Sequence, residues 1–273
     1  MYNTIGFIGT GNMGSAIATA VVKSGRFGTL YLANRTRSKA DELKTSLLKI
    51  RNNADVRVVE NTEIAKSCSL IFLCVKPQMM KEMLDGIRST LTARNDRPVL
   101  CTMAGGMSIA TLIQLSGIRQ MLRIMPNTPA SIGAGIIQYC GKNVTDQELA
   151  ELREILKPAG AVVPLEERLI DAASCVSGCG PAWAYMFAEA LADGGVACGL
   201  PREQALAFAA GMLKGAAQMI DQSYQHPGAL KDAVCSPGGA TIQGVRVLEE
   251  RGFRGAVIDA VIAAYEKTTK MGS

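Results

Sequence analysis

The chain reads as a doubly wound α/β domain with a mainly parallel sheet at residues 1–165, followed by an all-α domain at 166–273. Three observations predict this. Short apolar strands alternate with helical stretches through the first part, the pattern of repeated βα units. The first strand passes through Gly9-Thr10-Gly11-Asn12-Met13-Gly14 into a helix, the arrangement that opens a Rossmann sheet. From about Glu166 the alternation stops and the sequence becomes almost wholly helical.

Taken in order, the strand Thr4–Ile8 is followed by the glycine loop and by the helical stretch Ser15–Lys23. Gly9 permits the tight turn, Gly11 lets a pyrophosphate approach the backbone, and Gly14 lets the helix pack against the strand. Together with Thr10, Asn12 and Met13 they are the expected phosphate cradle of a dinucleotide. The second strand, Thr29–Ala33, bears on which dinucleotide. An NAD site usually ends this strand with an acid for the ribose 2′-hydroxyl. Here Asn34, Arg35, Thr36 and Arg37 stand instead, so no acid repels a 2′-phosphate and Arg35 can pair with it. NADPH is the expected cofactor, with NADH left open.

Further units follow: a short strand at Val56–Val59, a strand at Leu70–Val75, a helix after Pro77, a strand at Pro98–Thr102 and a helix from about Ser108. Ligands of such sheets bind at the carboxyl ends of the strands. The segments at those ends are Cys74-Val75-Lys76-Pro77, Met103-Ala104-Gly105-Gly106 and Met125-Pro126-Asn127-Thr128-Pro129. Their Gly and Pro residues permit backbone approach to a flat ring, and they equally suit plain loops. Lys76 has two readings, an anion contact or a solvated loop lysine. A strand near Ala134–Tyr139, a helix at Asp146–Leu156 and a strand around Ala161–Val163 complete the sheet domain.

In the helical part, residues 181–192 carry only Glu189 and residues 205–220 only Lys214. Helices apolar on every side need cover on every side. A domain of this size cannot surround two of them, so a second copy of the chain is expected to cover them, through close approach at Ala and Gly. Later, Ser236-Pro237-Gly238-Gly239 leads into a helical pattern with Ile242, Val245 and Leu248 three apart. The start of that helix is an anion site. Unpaired N–H groups at Gly239, Ala240 and Thr241 can hold a carboxylate, with the hydroxyls of Ser236 and Thr241 beside it. A capped turn between packed helices is the other reading of such a loop.

Composition narrows the function. The chain has 273 residues, is 48% apolar, and carries 29 Lys and Arg against 24 Asp and Glu, a net +5 without a basic block. That balance suits small anionic metabolites and gives no reason to expect nucleic acid. Eight cysteines lie scattered without CxxC spacing, as reduced thiols of a cytoplasmic protein do, and no metal site is expected. The opening MYNTIGFIG has no basic segment of a secretory signal. The longest uncharged runs are broken by Gly, Ser, Thr or Pro, so no membrane span is expected. The single histidine, His226, precedes Pro227 in a turn-like segment and reads as structural. Ketone reduction usually needs a positioned proton donor for the developing alkoxide, whereas a protonated imine is already electrophilic. A site that holds a carboxylate, offers a hydroxyl to an imine nitrogen and aligns a nicotinamide would suffice for C=N reduction.

The chain resembles the pyrroline-5-carboxylate reductase family over essentially its whole length. The residues that carry the resemblance are GFIGTGNMG at Gly6–Gly14, CVKPQ at Cys74–Gln78, RIMPNTP at Arg123–Pro129, SGCGPAW at Ser177–Trp183 and, with the highest specificity, LKDAVCSPGGATIQGVRVLE at Leu230–Glu249. The resemblance implies reduction of 1-pyrroline-5-carboxylate to L-proline with NADPH or NADH, the last step of proline biosynthesis. It also implies a helical dimerisation domain whose helices interleave between protomers, so a homodimer is expected, with a larger assembly of dimers left open. Carried over position by position, Gly9–Gly14, Asn34, Arg35, Asn61, Val75, Lys76, Pro77, Met103, Ala104 and Gly105 resemble the family's cofactor shell, and Met125 is expected to help place the nicotinamide. Ser236, Gly238, Gly239 and Thr241 resemble its carboxylate and imine contacts, with Thr241 partnering the ring nitrogen. Glu166 matches a family position near the substrate, although a solvated or structural Glu fits it as well. Some members have Glu where this chain has Tyr224 and Asn where it has Ala233, so no role is carried to those two.

Two other functions fit parts of the pattern. A β-hydroxyacid dehydrogenase of the hydroxyisobutyrate kind shares the glycine loop and a helical second domain, but uses a Lys on the helix after a Gly-rich stretch. After Ser177-Gly178-Cys179-Gly180-Pro181 this chain has no Lys before Lys214. A non-catalytic NADPH-binding regulator would need the cofactor loop and not the Ser236–Thr241 pocket, so it would be indifferent to Thr241→Val.

Overall fold

The computed structural model describes residues 2–271. Its first part alternates β1 (Thr4–Ile8), α1 (Asn12–Ser24), β2 (Thr29–Ala33), α2 (Arg37–Ile50), β3 (Asp55–Val58), α3 (Asn61–Ser67), β4 (Leu70–Leu73), α4 (Pro77–Thr92), β5 (Val99–Thr102), α5 (Ile109–Ser116), β6 (Met121–Met125), β7 (Gly135–Lys142), α6 (Asp146–Leu156) and β8 (Gly160–Pro164). The strands form one sheet in the order β3-β2-β1-β4-β5-β6-β7-β8. Pairing is parallel throughout except between β6 and β7. The order reverses between β1 and β4, and such a switch point opens a crevice at the carboxyl ends of the strands. The doubly wound expectation therefore holds.

Alternation along the strands explains the two cores. Ile5, Phe7, Leu30, Leu32, Leu70 and Phe72 face α1, α2 and α6, while Tyr31, Ala33, Ile71, Leu73 and Leu100 face α3, α4 and α5. Phe7 and Phe72 are opposite each other across β1 and β4, with ring centroids 4.6 Å apart and planes within 11°. Helix ends follow local chemistry. Thr145 and Glu148 form a reciprocal capping box at the start of α6, and Ser108 caps α5, which stops at Gly117 in the left-handed region.

The strand least expected is β6. Its sequence, MLRIM, has a cation at its centre, which argues against a buried strand unless that charge has partners. Arg123 has them, as described below.

The helical part comprises α7 (Glu167–Ser177), α8 (Gly180–Ala197), α9 (Arg202–Ser223), α10 (Pro227–Ala233), α11 (Ala240–Glu250) and α12 (Phe253–Met271). The chain divides into two compact units. One runs to Cys179 and takes up the chain again from Ala264, and the other is Gly180–Ala263. By this division α7 lies with the sheet, because it packs on β6 and β7, whereas the change of character in the sequence comes at Glu166. Within the second unit α8 and α9 pack through small residues: a Cβ added at Gly195 would sit 3.2 Å from Ala205 Cβ, and Ala192, Ala205 and Ala209 are buried. The other faces carry exposed apolar side chains, including Tyr185 (63% exposed), Met186, Phe208 (62%) and Met212 (47%).

Candidate functional site

The glycine loop between β1 and α1 is shaped as a cradle. Gly9 adopts φ +103°, and a Cβ there would lie 2.6 Å from the Cys74 carbonyl oxygen. A Cβ at Gly14 would collide with the Gly9 carbonyl oxygen, so both positions demand glycine. Gly11 is the opposite case, with nothing within 4 Å of an added Cβ. That open space lies at the N-terminus of α1, where Gly11 is the cap residue, no side chain caps the helix and no acid occupies the first turn. Free N–H groups and the positive dipole end face outward there. Thr10 adds a further match: its Oγ1 is buried without a hydrogen-bond partner and waits for one from a ligand. The residues present therefore fit the pyrophosphate of a dinucleotide.

The end of β2 is clipped to this loop. Thr10 N donates to Asn34 Oδ1 at 3.1 Å, and Asn34 Nδ2 donates to the Thr36 carbonyl at 2.9 Å. Asn34 is thus engaged in shaping the turn. Arg37 leans toward Asp41 (4.0 Å) and Glu60 (3.7 Å), whereas Arg35 is exposed and makes no ion pair among the described residues, so its guanidinium is free for a phosphate. Asn61 begins α3, and Lys76 is exposed at the N-cap of α4 with Pro77 following at its first position. The loop after β5 carries Met103, Ala104 and Gly105, and Gly105, like Gly11, has open space where a Cβ would be. Met125 ends β6 and is buried. These positions follow the carboxyl ends of β1, β2, β3, β4, β5 and β6.

In the helical unit, Ser236–Gly239 form a turn in which Gly239 N donates to the Ser236 carbonyl at 3.0 Å and Gly238 takes φ +68°. Gly239 is the cap residue of α11 and no side chain caps that helix. Thr241 does not cap its own helix, and neither its hydroxyl nor that of Ser236 makes a hydrogen bond among the described residues. A Cβ on Gly239 would collide with Ser236 Oγ, so only glycine leaves the hydroxyl and the helix end together. Ser236, Gly238, Gly239, Ala240 and Thr241 are brought together at one exposed helix end that no side chain caps.

Glu166 belongs to the sheet unit, where it is exposed and paired with Arg168 at 2.7 Å. His226 caps α10, its Nδ1 accepting from Gly228 N at 3.0 Å. Among the described residues no cluster of His, Cys, Asp or Glu is suited to a metal, and no helix is long and apolar enough to cross a membrane. The cysteines are free, and burial pushes the Cys68 thiol up to about 12 and the Cys140 thiol up to about 11.

The residues that sequence reasoning missed are Asp171 and Glu167. Both face Arg123, which is 2% exposed: Arg123 Nη2 donates to Asp171 Oδ1 at 2.5 Å, and Nη1 lies 3.8 Å from Glu167 Oε1. A cation in the middle of an apolar strand was the available signal, since a buried charge requires partners.

Comparisons with known proteins agree with this geometry. The family model described as pyrroline-5-carboxylate reductase dimerisation matches residues 167–271, and the model for NADP oxidoreductase, coenzyme F420-dependent, matches residues 4–105. The chain is 38% identical over 276 residues to the pyrroline-5-carboxylate reductase of Escherichia coli (strain K12), covering 99% of both proteins. It is 36% identical to that of Glycine max, over 98% of the chain and 96% of the relative. A crystal structure of Plasmodium falciparum pyrroline carboxylate reductase with NADP bound superposes with a TM-score of 0.86 at 32% identity, over 99% of this chain and 98% of that one. A Mycobacterium tuberculosis 3-hydroxyisobutyrate dehydrogenase aligns over 72% of the chain and 65% of its own, at 15% identity and a TM-score of 0.50, a likeness of fold alone.

Proposed function

The chain belongs to the pyrroline-5-carboxylate reductase family, and from that premise we infer how its own residues carry the reaction. It is an NAD(P)H-dependent oxidoreductase that reduces the C=N bond of 1-pyrroline-5-carboxylate to give L-proline, the final step of proline biosynthesis. The nicotinamide cofactor, when bound, supplies the hydride, delivered directly to the imine carbon. Thr10, Gly11, Asn12 and Met13 hold the pyrophosphate at the start of α1, Gly9 and Gly14 shape that loop, and Asn34 braces it. Asn61, Val75, Lys76 and Pro77 border the dinucleotide. Arg35, exposed and unpaired, takes the 2′-phosphate and favours NADPH over NADH. Met103, Ala104, Gly105 and Met125 orient the ring.

The single observation that carries the substrate reading is the free end of α11. Its unpaired N–H groups at Ala240 and Thr241 hold the carboxylate, with Ser236, Gly238 and Gly239 closing the turn beneath it. Thr241 Oγ1 hydrogen-bonds the ring nitrogen and orients the imine; the protonated imine supplies its own electrophilicity, so no imidazole is needed.

The helical segment from Glu166 onward serves dimerisation, and the occupant of the exposed apolar faces of α8 and α9 is a second copy of this chain. A larger assembly of such dimers is compatible with those faces. The free thiols support a cytoplasmic location as the reading for this protein.

The test is steady-state oxidation of NADPH and of NADH by wild type and Thr241→Val, with and without pyrroline-5-carboxylate, alongside direct NADPH titration. Wild-type turnover is expected to require the imine, and Thr241→Val is expected to lose roughly ten- to hundredfold in kcat with NADPH affinity unchanged. Full activity in Thr241→Val would remove Thr241 from the site.

A further inference from the structure

We propose that Asp171, together with its partner Arg123, is a positioning residue for the nicotinamide-orienting loop between β5 and α5. The inference rests on the cofactor reading given above. Residues 103–108 connect β5 to α5 without regular structure, and a loop of that kind holds a shape only where its backbone groups find partners. Its outside anchors are the Thr102 hydroxyl of β5, which accepts from Ala104 N at 3.1 Å, and two carboxylates of α7, one of which holds the first residue of α5. Gly106 N donates to Asp171 Oδ1 at 3.2 Å, and Ile109 N donates to Glu167 Oε1 at 2.5 Å. Gly106 sits at φ +72°, so the bond to Asp171 holds a left-handed kink directly after Ala104 and Gly105.

The two carboxylates are themselves held by Arg123. Its position is fixed by the sheet, where it pairs with Thr102 on β5 and Cys140 on β7. One oxygen, Asp171 Oδ1, therefore accepts from both the strand cation and the loop amide. The cation, the carboxylate and the amide form a chain from a strand of the sheet to a loop without regular structure. Arg123 Nε is buried without a partner, a cost that a merely space-filling residue would not incur. An apolar side chain at position 123 would fill a strand between Leu122 and Ile124 without any of these requirements. The arrangement instead fixes where Met103, Ala104 and Gly105 stand. An error of about 1 Å at a reacting centre costs on the order of a hundredfold in rate.

The experiment uses the full chain with three variants: Asp171→Ala, which removes both bonds, Asp171→Asn, whose side-chain oxygen still accepts from Gly106, and Arg123→Met combined with Asp171→Ala. The last removes the buried charges together, and it carries the test if Asp171→Ala does not fold. Measured are kcat, KM for each substrate, NADPH affinity by titration, and the deuterium isotope effect on kcat with NADPH labelled at the transferred C4 hydrogen. Asp171→Ala is expected to lower kcat roughly tenfold or more, to change NADPH affinity less, and to raise the isotope effect as hydride transfer becomes limiting. Asp171→Asn is expected to recover part of the rate.

Unchanged kcat and isotope effect, with only a lower melting temperature, would make the pair a purely structural one and overturn the proposal. Absence of wild-type turnover would instead overturn the family reading. In that case amide exchange still decides: NADPH is expected to slow exchange at Gly106 and Ile109 in wild type and not in Asp171→Ala, and equal slowing in both overturns the proposal.

Discussion

The sheet unit and the helical unit are built from similarly apolar sequence, yet they dispose of it in opposite ways. In the first, Phe7, Ile17, Leu30, Leu70, Phe72 and Leu100 reach essentially zero exposure, and each face of the sheet is closed by its own helices. In the second, α10 and α11 bury no residue and α8 buries only Ala192, while Tyr185, Met186, Phe208 and Met212 stand open. A chain that satisfies its own core in one half and not in the other has placed part of its stability in association. The uncapped end of α11, where we propose that the substrate carboxylate binds, belongs to the half that is incomplete alone.

The sharpest way to break this comparison is to put a charge on the open face. Phe208→Asp is expected to cost roughly 2 kcal/mol or more per copy in association and to shift sedimentation to the mass of one chain, with a fall in melting temperature. Ile50→Asp, an equally drastic change at a 46% exposed site of the sheet unit, is expected to leave both mass and melting temperature nearly unchanged. Equal behaviour of the two variants would erase the distinction.

Gly14→Ala tests the other half, where space is already used. The added methyl meets the Gly9 carbonyl oxygen and the Cys74 side chain, so the loop must shift. The expected cost is about 1–3 kcal/mol in stability, and NADPH affinity is expected to fall by tenfold or more while assembly is retained. Gly11→Ala, into open space, is expected to leave the fold intact and to weaken NADPH alone.

What the sequence made legible follows the same divide. The glycine loop, the order of the βα units and the start of α11 are local patterns, written in Gly, Pro and periodicity, and the structure has them where expected. The need for a partner copy was readable because a helix with one charge in sixteen residues has no solvated face. The Arg123, Asp171 and Glu167 network was not readable, because it joins residues 44 to 48 positions apart and nothing local couples them (167 − 123 and 171 − 123). The bond from Asn127 Nδ2 to the Ser177 carbonyl, 50 positions apart, escaped for the same reason. The two bonds of the Asn34 amide group, to Thr10 and Thr36, were not readable either, since only the folded turn reveals them.

A smaller effect is expected at Arg35. Replacing it by Ala removes a charge-assisted contact of about 1.5–3 kcal/mol, so the ratio of kcat/KM for NADPH over NADH should drop by roughly ten- to a hundredfold. Arg37→Ala, at a residue already engaged with Asp41 and Glu60, is expected to alter the ratio far less. A ratio that moves equally in both would locate the preference in general basicity of the turn.

The smallest effect concerns pH, and it isolates the sheet unit. Burial raises the Cys68 thiol from 9.0 to about 12, and burial with the nearby Glu167 carboxylate raises Cys140 to about 11. In the unfolded chain such thiols lose their protons near pH 9, while in the folded chain they keep them until pH 11–12. Below pH 9 the two states bind the same protons, so the stabilising contribution is complete; above it the unfolded state is favoured progressively until the folded thiols titrate. The urea midpoint is therefore expected to decline between about pH 9 and about pH 11, and the combined variant Cys68→Ala, Cys140→Ser is expected to show a shallower decline over the same interval. Since both thiols are in the self-contained half, a decline of the same slope in wild type and variant would mean that groups other than these two thiols govern alkaline stability.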